Sequence, residues 1–136
     1  MKFLKLSDRY LLNVDNFVVA SPKYGILIYS TFFEKYKEIN NKHLTDNLLK
    51  YSLTINEFFE TDDIEDKLIQ VKTGNEEIII INPKAVVEIY YGTVLLANGD
   101  RFTFYNSKDL EKFKIKLTKN NIDIYNELID EFNNSN

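Results

Sequence analysis

The sequence predicts an α+β fold: an antiparallel sheet or small barrel packed against amphipathic helices. Three observations predict it. Between Glu77 and Tyr105, short apolar runs stop at turn residues: Ile78–Ile81 at Asn82-Pro83, Val86–Tyr91 at Gly92, and Thr93–Ala97 at Asn98-Gly99, which returns as Asp100–Tyr105. Beyond Tyr105 the spacing turns helical, with Leu110, Phe113 and Leu117 on one side. Several strands followed by two helices then occur twice along the chain, the pattern of a tandem β-meander plus two-helix duplication.

Taken in order, Phe3-Leu4-Lys5-Leu6 alternates as a first strand, and Ser7-Asp8 is a turn. Tyr10–Val14 and Phe17–Ala20 are two short strands separated by Asp15-Asn16. Ser21–Gly25 is a loop with proline and glycine, and Ile26–Tyr29 returns as a strand. Thr31-Phe32-Phe33-Glu34 has the spacing of a capping box, predicting a helix with Phe32, Phe33, Tyr36 and Ile39 on one face, ended by Asn40-Asn41. A second helix is expected from about His43 to Phe59. Residues 61–66, Thr-Asp-Asp-Ile-Glu-Asp, form an acidic linker between a first unit at 1–60 and a second at 67–136.

In the second unit, Leu68–Val71 is a strand and Thr73-Gly74-Asn75 a turn. Ile78–Ile81 is apolar on both sides, as in a strand covered on both faces. Asn98-Gly99 suits a two-residue type I′ turn, pairing Leu96 with Arg101, Leu95 with Phe102 and Thr93 with Phe104, with Leu95 and Phe102 toward the core. Ser107 or Asn106 caps the following helix. A last helix, about Ile122–Phe132, follows Asn120-Asn121 with Ile124, Leu128 and Phe132 at four-residue spacing, flanked by Tyr125 and Ile129, and leads to a frayed Asn-rich tail, 133–136.

Composition narrows the function. A chain of 136 residues, 44% apolar and 14% aromatic, is globular. The absence of cysteine removes disulfides, thiolate metal sites and thiol catalysis. A net charge of −4 argues against a free duplex binder. The opening MKFLKLSDRY lacks an apolar signal core, and no window is apolar enough to span a bilayer, so a cytoplasmic protein is expected, of a bacterium or of a phage-infected cell. The excess of Lys, Asn and Ile, all with AT-rich codons, points to a low-GC genome or its phages.

The segment Lys67–Leu117 resembles small bacterial modules of the FlbD type, from flagellar operons, through Gly74, Ile81-Asn82-Pro83, Val86, Ile89, Asn98-Gly99 and Leu110. The opening Lys2–Val19, with Asn13-Val14-Asp15-Asn16, resembles the same pattern more faintly. The same residues are similar to the last strands and C-terminal helix of bacterial PH-like domains. Both resemblances imply a small contact-making β module, and neither brings a catalytic residue.

Chemistry-bearing residues are sparse. His43 is the one histidine, without a second soft ligand or a nucleophile to serve. Asp62, Asp63, Glu65 and Asp66 lack the ligand order and glycine of a calcium loop, and read as a solvated linker. No phosphate-cradling glycine loop, cofactor motif or metal site is present. Two surfaces are expected. Tyr90, Val94, Leu96, Arg101 and Tyr105 are candidate partner contacts on the exposed side of the sheet, and Lys112, Lys114, Lys116 and Lys119 are candidate anion contacts. The expected function is a non-enzymatic protein-interaction or assembly module, phage- or mobile-element-encoded, engaging a protein partner or a second copy. The alternatives are a PH-like module binding anionic headgroups at a membrane surface or peptide, and nucleic-acid contact, which the charge disfavours.

Overall fold

In a computed structural model, which describes residues 3–23, 26–119 and 122–134, the chain is organised by two matching corners. Asn13 ends a strand and its side-chain oxygen accepts from the Asp15 amide; Asn82 does the same for the Lys84 amide. Each Asn satisfies an amide of a one-turn 3-10 helix, Val14–Asn16 or Pro83–Ala85, and so turns the chain sharply between two strands. Two strands precede the first corner, β1 (Phe3–Ser7) and β2 (Tyr10–Asn13), and three follow it, β3 (Phe17–Lys23), β4 (Ile26–Thr31) and β5 (Lys37–Asn40), before helices α1 (Lys42–Tyr51) and α2 (Ile55–Glu60). The second corner is flanked in the same way. Strands β6 (Ile69–Lys72) and β7 (Ile78–Ile81) precede it; β8 (Val86–Tyr90), β9 (Thr93–Leu96), β10 (Arg101–Thr103), α3 (Ser107–Leu117) and α4 (Ile122–Asn134) follow.

The expected α+β class is observed, and the two halves share an element order. Details repeat as well. Register shifts fall at Phe17/Val19 in β3 and at Val86/Glu88 in β8, and Asn41 and Asn106 cap α1 and α3. The loop at Tyr24-Gly25, the break at Asn120-Asn121, Lys2, Ser135-Asn136 and the side chains of Ile124 and Tyr125 lie outside the described residues.

The halves interlock. The β6–β7 hairpin adds to the first half's strands, giving a five-stranded sheet in the order β5-β4-β3-β7-β6. β7 is covered on both faces from Ile79 to Ile81, with Ile78 at its start exposed: Ile80 lies in a first core with Leu12, Phe17, Tyr29 and Leu48, while Ile79 and Ile81 lie in a second with Phe58, Val94, Leu96 and Phe113. The second core also takes Val18 and Ile55 from the first half, so residues 61–66 join two halves that share a sheet and exchange core side chains.

Three local expectations are corrected. Thr31 Oγ1 accepts from the Phe33 and Glu34 amides, as a capping box requires, but no helix follows. The Thr31 amide donates to the Glu34 carbonyl, the chain closes a turn, and residues 37–40 pair with β4. Phe32, Phe33 and Tyr36 remain exposed, so a helix here would have buried little. The second expected helix breaks at Ser52–Thr54, where the Leu53 amide donates to Leu68 O and its carbonyl accepts from the Gln70 amide, bridging to β6. Thr54 and Glu57 form the reciprocal capping box that starts α2.

The third correction is the hairpin register. Arg101 pairs with Leu95, Phe102 with Val94 and Thr103 with Thr93, one residue off the two-residue expectation. The Gly99 amide donates to Leu96 O and the Leu96 amide to Asp100 O, and Gly99 has φ +93° while Asn98 does not reach positive φ. This is a three-residue loop with a glycine bulge. The two-residue turn with both central residues at positive φ lies instead at Tyr91 (+49°) and Gly92 (+80°). A slip of one residue exchanges the faces of a strand. Val94 and Leu96 therefore enter the core, at 0% and 2% exposure, and Leu95 turns outward with Arg101.

Candidate functional site

The alternation along β3 and β4 points Ala20, Leu27 and Tyr29 into the first core and leaves Val19, Ser21, Ile28 and Ser30 on the other face. The β9–β10 hairpin roofs only part of that face. What remains is a cleft of about 270 Å³, floored by Val19, Ile28 and Ile79, with Leu96 and Phe102 at its roof. The rim is polar: Tyr36 donates to Asp100 Oδ1 at 2.9 Å, and Asn98 Nδ2 donates to Ser30 Oγ at 2.9 Å and to Asp100 Oδ2 at 2.8 Å. The Asp100 carboxylate pushes the Tyr36 phenol above the usual tyrosine range.

Backbone direction makes one wall of this cleft distinctive. The Leu96–Asp100 bond fixes which groups of β10 face β9: Phe102 exchanges bonds with Val94, so Arg101 and Thr103 face outward. The Thr103 carbonyl accepts from the Gly74 amide. At Asn75–Glu76 the neighbouring segment turns away, with Glu76 at φ +65°. Beyond that turn, no strand among the described residues pairs with the outer side of Arg101. An apolar floor with convergent polar groups is the usual form of a binding site.

The sequence-predicted contacts divide. Tyr90, Arg101 and Tyr105 are exposed; Arg101 lies 3.9 Å from Glu88, and the Lys72 ammonium sits 4.2 Å above the Tyr105 ring. Val94 is a core residue, and Leu96, 2% exposed, belongs to the core and only lines the cleft at its roof, not the outer side of the sheet. The four lysines do not make one patch. Lys112 donates to Asn56, Lys114 pairs with Glu111, and Lys116 is buried with its ammonium on the Phe59 and Thr61 carbonyls at the end of α2; Lys119 alone of the four is exposed. Helical geometry explains the scatter, since residues two apart face different sides.

Tyr36, Asn98, Ser30 and Asp100 are site residues that the sequence reading passed over. Tyr36 was hidden by the helix expected around it; Asp100, directly after Asn98-Gly99, was the available signal. His43 lies apart, beside Asn47 at the start of α1. Among the described residues there is no group of three or more metal-ligating side chains, and no helix is long and apolar enough to cross a membrane. Comparison with family models, with curated proteins and with solved structures returns no match.

Proposed function

We propose that this chain is a non-enzymatic protein-interaction module that takes up an extended segment of a partner protein along the outer edge of β10. One observation carries the reading: the outward amide and carbonyl of Arg101 stand over the Val19, Ile28 and Ile79 floor with no neighbouring strand among the described residues. An added strand satisfies those groups, and its alternate side chains reach the floor or solvent. Tyr36, Asn98 and Asp100 supply polar groups at the rim for a second determinant of specificity.

The Arg101 amide gives the test. Proline is tolerated where an edge-strand amide points away from the sheet, so Arg101→Pro removes the outward donor and spares the Val94–Phe102 bonds. Partners retained by the purified wild-type chain and identified by mass spectrometry should be lost with Arg101→Pro and kept with Arg101→Ala. A wild type that retains no partner, or an Arg101→Pro variant that retains the same ones, overturns the reading.

A further inference from the structure

The repeat has an unfilled half. β7 lies on the outer edge of β3, with Val19 opposite Ile81 and Ala20 opposite Ile80. Matching the corner asparagines Asn13 and Asn82 makes β2 the counterpart of β7 and β8 the counterpart of β3, yet among the described residues β2 and β8 do not pair: β2 pairs only with β1, and β8 only with β9. The side chains record the same asymmetry. Val18, at the bulge of β3, is 0% exposed, whereas its counterpart Val87 is 61% exposed. Ile80 is 0% exposed and its counterpart Leu11 is 64% exposed. Two strand edges that the first half's geometry makes complementary are thus open, and each carries an exposed aliphatic residue.

We infer that a second copy of this chain closes the seam: β2 of one copy lies antiparallel along β8 of the other, and the reciprocal pair forms by two-fold symmetry. The occupant follows from the chain itself, because β7 on β3 continues the same inter-half interface and supplies the register. Transferred to the open edges, it sets Ile89 opposite the second copy's Leu11, Val87 opposite Asn13, Tyr90 opposite Tyr10 and Tyr91 opposite Arg9. The Ile89 backbone faces away from β9, since Glu88 is the residue that bonds Leu95, so its amide and carbonyl are free to pair. Arg9 over Tyr91 is a favourable cation–aromatic pair. Glu88 stands where the first half has Val19, and its ion pair with Arg101 keeps its charge at the rim. Since each chain carries both edges, the pairing is self-complementary and closed. This face is separate from the β10 cleft, so either proposal stands without the other.

The chain contains no cysteine, which makes crosslinking clean. Leu11→Cys/Ile89→Cys, oxidised under mild conditions, should give a disulfide-linked dimer, and sedimentation of the unmodified chain should show a monomer–dimer equilibrium. Val87→Asp, at an exposed position, should keep the monomer's thermal transition and weaken dimerisation by at least about tenfold. A monomer at all concentrations, a disulfide closed within one chain, or unchanged dimerisation of Val87→Asp overturns the inference.

Discussion

The side-chain amide of Asn82 donates to the Phe17 carbonyl at 2.9 Å and to the Val14 carbonyl at 3.1 Å, stitching the second corner to the first from a buried position. Its own amide donates to Val18 O, the first rung of the β3–β7 seam. One residue thus holds its own 3-10 turn and anchors the other. Asn82→Ala removes both donors and the acceptor of the Lys84 amide; it strands the Phe17 carbonyl, at ~1–3 kcal/mol when buried and unpaired, while the Val14 carbonyl keeps its bond from the Phe17 amide. A loss of about 2–5 kcal/mol is expected in urea denaturation, and Asn82→Asp, which keeps the acceptor but not the donors, should be similarly costly. A loss below about 1 kcal/mol in both would mean that the seam does not depend on this amide.

Gly74 is required for its lack of a side chain. A Cβ there would sit 2.5 Å from Thr103 Oγ1, because the Gly74 amide reaches the Thr103 carbonyl at 2.9 Å. Thr103 is β-branched and sits in a strand, so its hydroxyl has few rotamers to retreat into. Gly74→Ala should therefore destabilise by about 1–3 kcal/mol, and the Gly74→Ala/Thr103→Ala pair should recover most of that loss. Additive effects in the double-mutant cycle would show that the clash is relieved elsewhere.

The outcome of two identical spacings shows what the sequence could and could not reveal. Thr31-x-x-Glu34 and Thr54-x-x-Glu57 both match a capping box, and both threonines bond the expected amide. Only the second starts a helix, because Ile55 and Phe58 have a core to enter, whereas Phe32 and Phe33 face solvent and the chain after them is drawn to the edge of β4. Local chemistry was legible; the competition from a distant strand was not. Similarly, Asn98-Gly99 announced a turn, but not whether one or two residues take positive φ, and that difference moved Val94 and Leu96 from the candidate surface into the core. The two matching corners were visible at their asparagines because those side chains each hold the amide two residues on. The transfer of the β6–β7 hairpin to the first half's sheet left no local mark, and the cleft depends on that transfer.

The placement of positive φ makes the two turns separable by mutation. Tyr91 holds φ +49° while 92% exposed, a conformation that asparagine and glycine adopt far more readily. Tyr91→Asn should raise the stability of the monomer by about 0.5–1 kcal/mol in thermal or urea denaturation. Gly99→Ala, at φ +93° with open space around it, should lower it by roughly 1 kcal/mol from backbone strain alone. Asn98→Ala removes the bonds to Ser30, Asp100 and its own loop, and should loosen the cleft rim more than it strains the turn. A fall in stability with Tyr91→Asn would place the aromatic contact with Tyr90 above the backbone gain.

Lys116 gives a prediction in the alkaline range. It is 6% exposed, and its ammonium donates to the carbonyls of Phe59, at 3.1 Å, and of Thr61, closing the C-terminal end of α2 against α3. Burial lowers its pKa below the usual lysine value of 10.5, and nearby Lys119 lowers it further against a smaller opposing effect from Asp62. In the window between the lowered folded value and 10.5, the unfolded chain holds a proton that the folded chain has released. Stability contributed by this site therefore rises with pH through that window and is level below it. Lys116→Met lacks the titration, so the stability difference, wild type minus variant, should be level on the acid side of that window and grow in favour of wild type as the pH rises through it to the usual lysine value of 10.5. Taking the difference cancels the other lysines and tyrosines, which titrate in both chains. A difference that stays flat across that range would mean that the Lys116 ammonium is solvated, and one that shrinks would mean that the Phe59 and Thr61 carbonyls favour the charged form more than burial disfavours it.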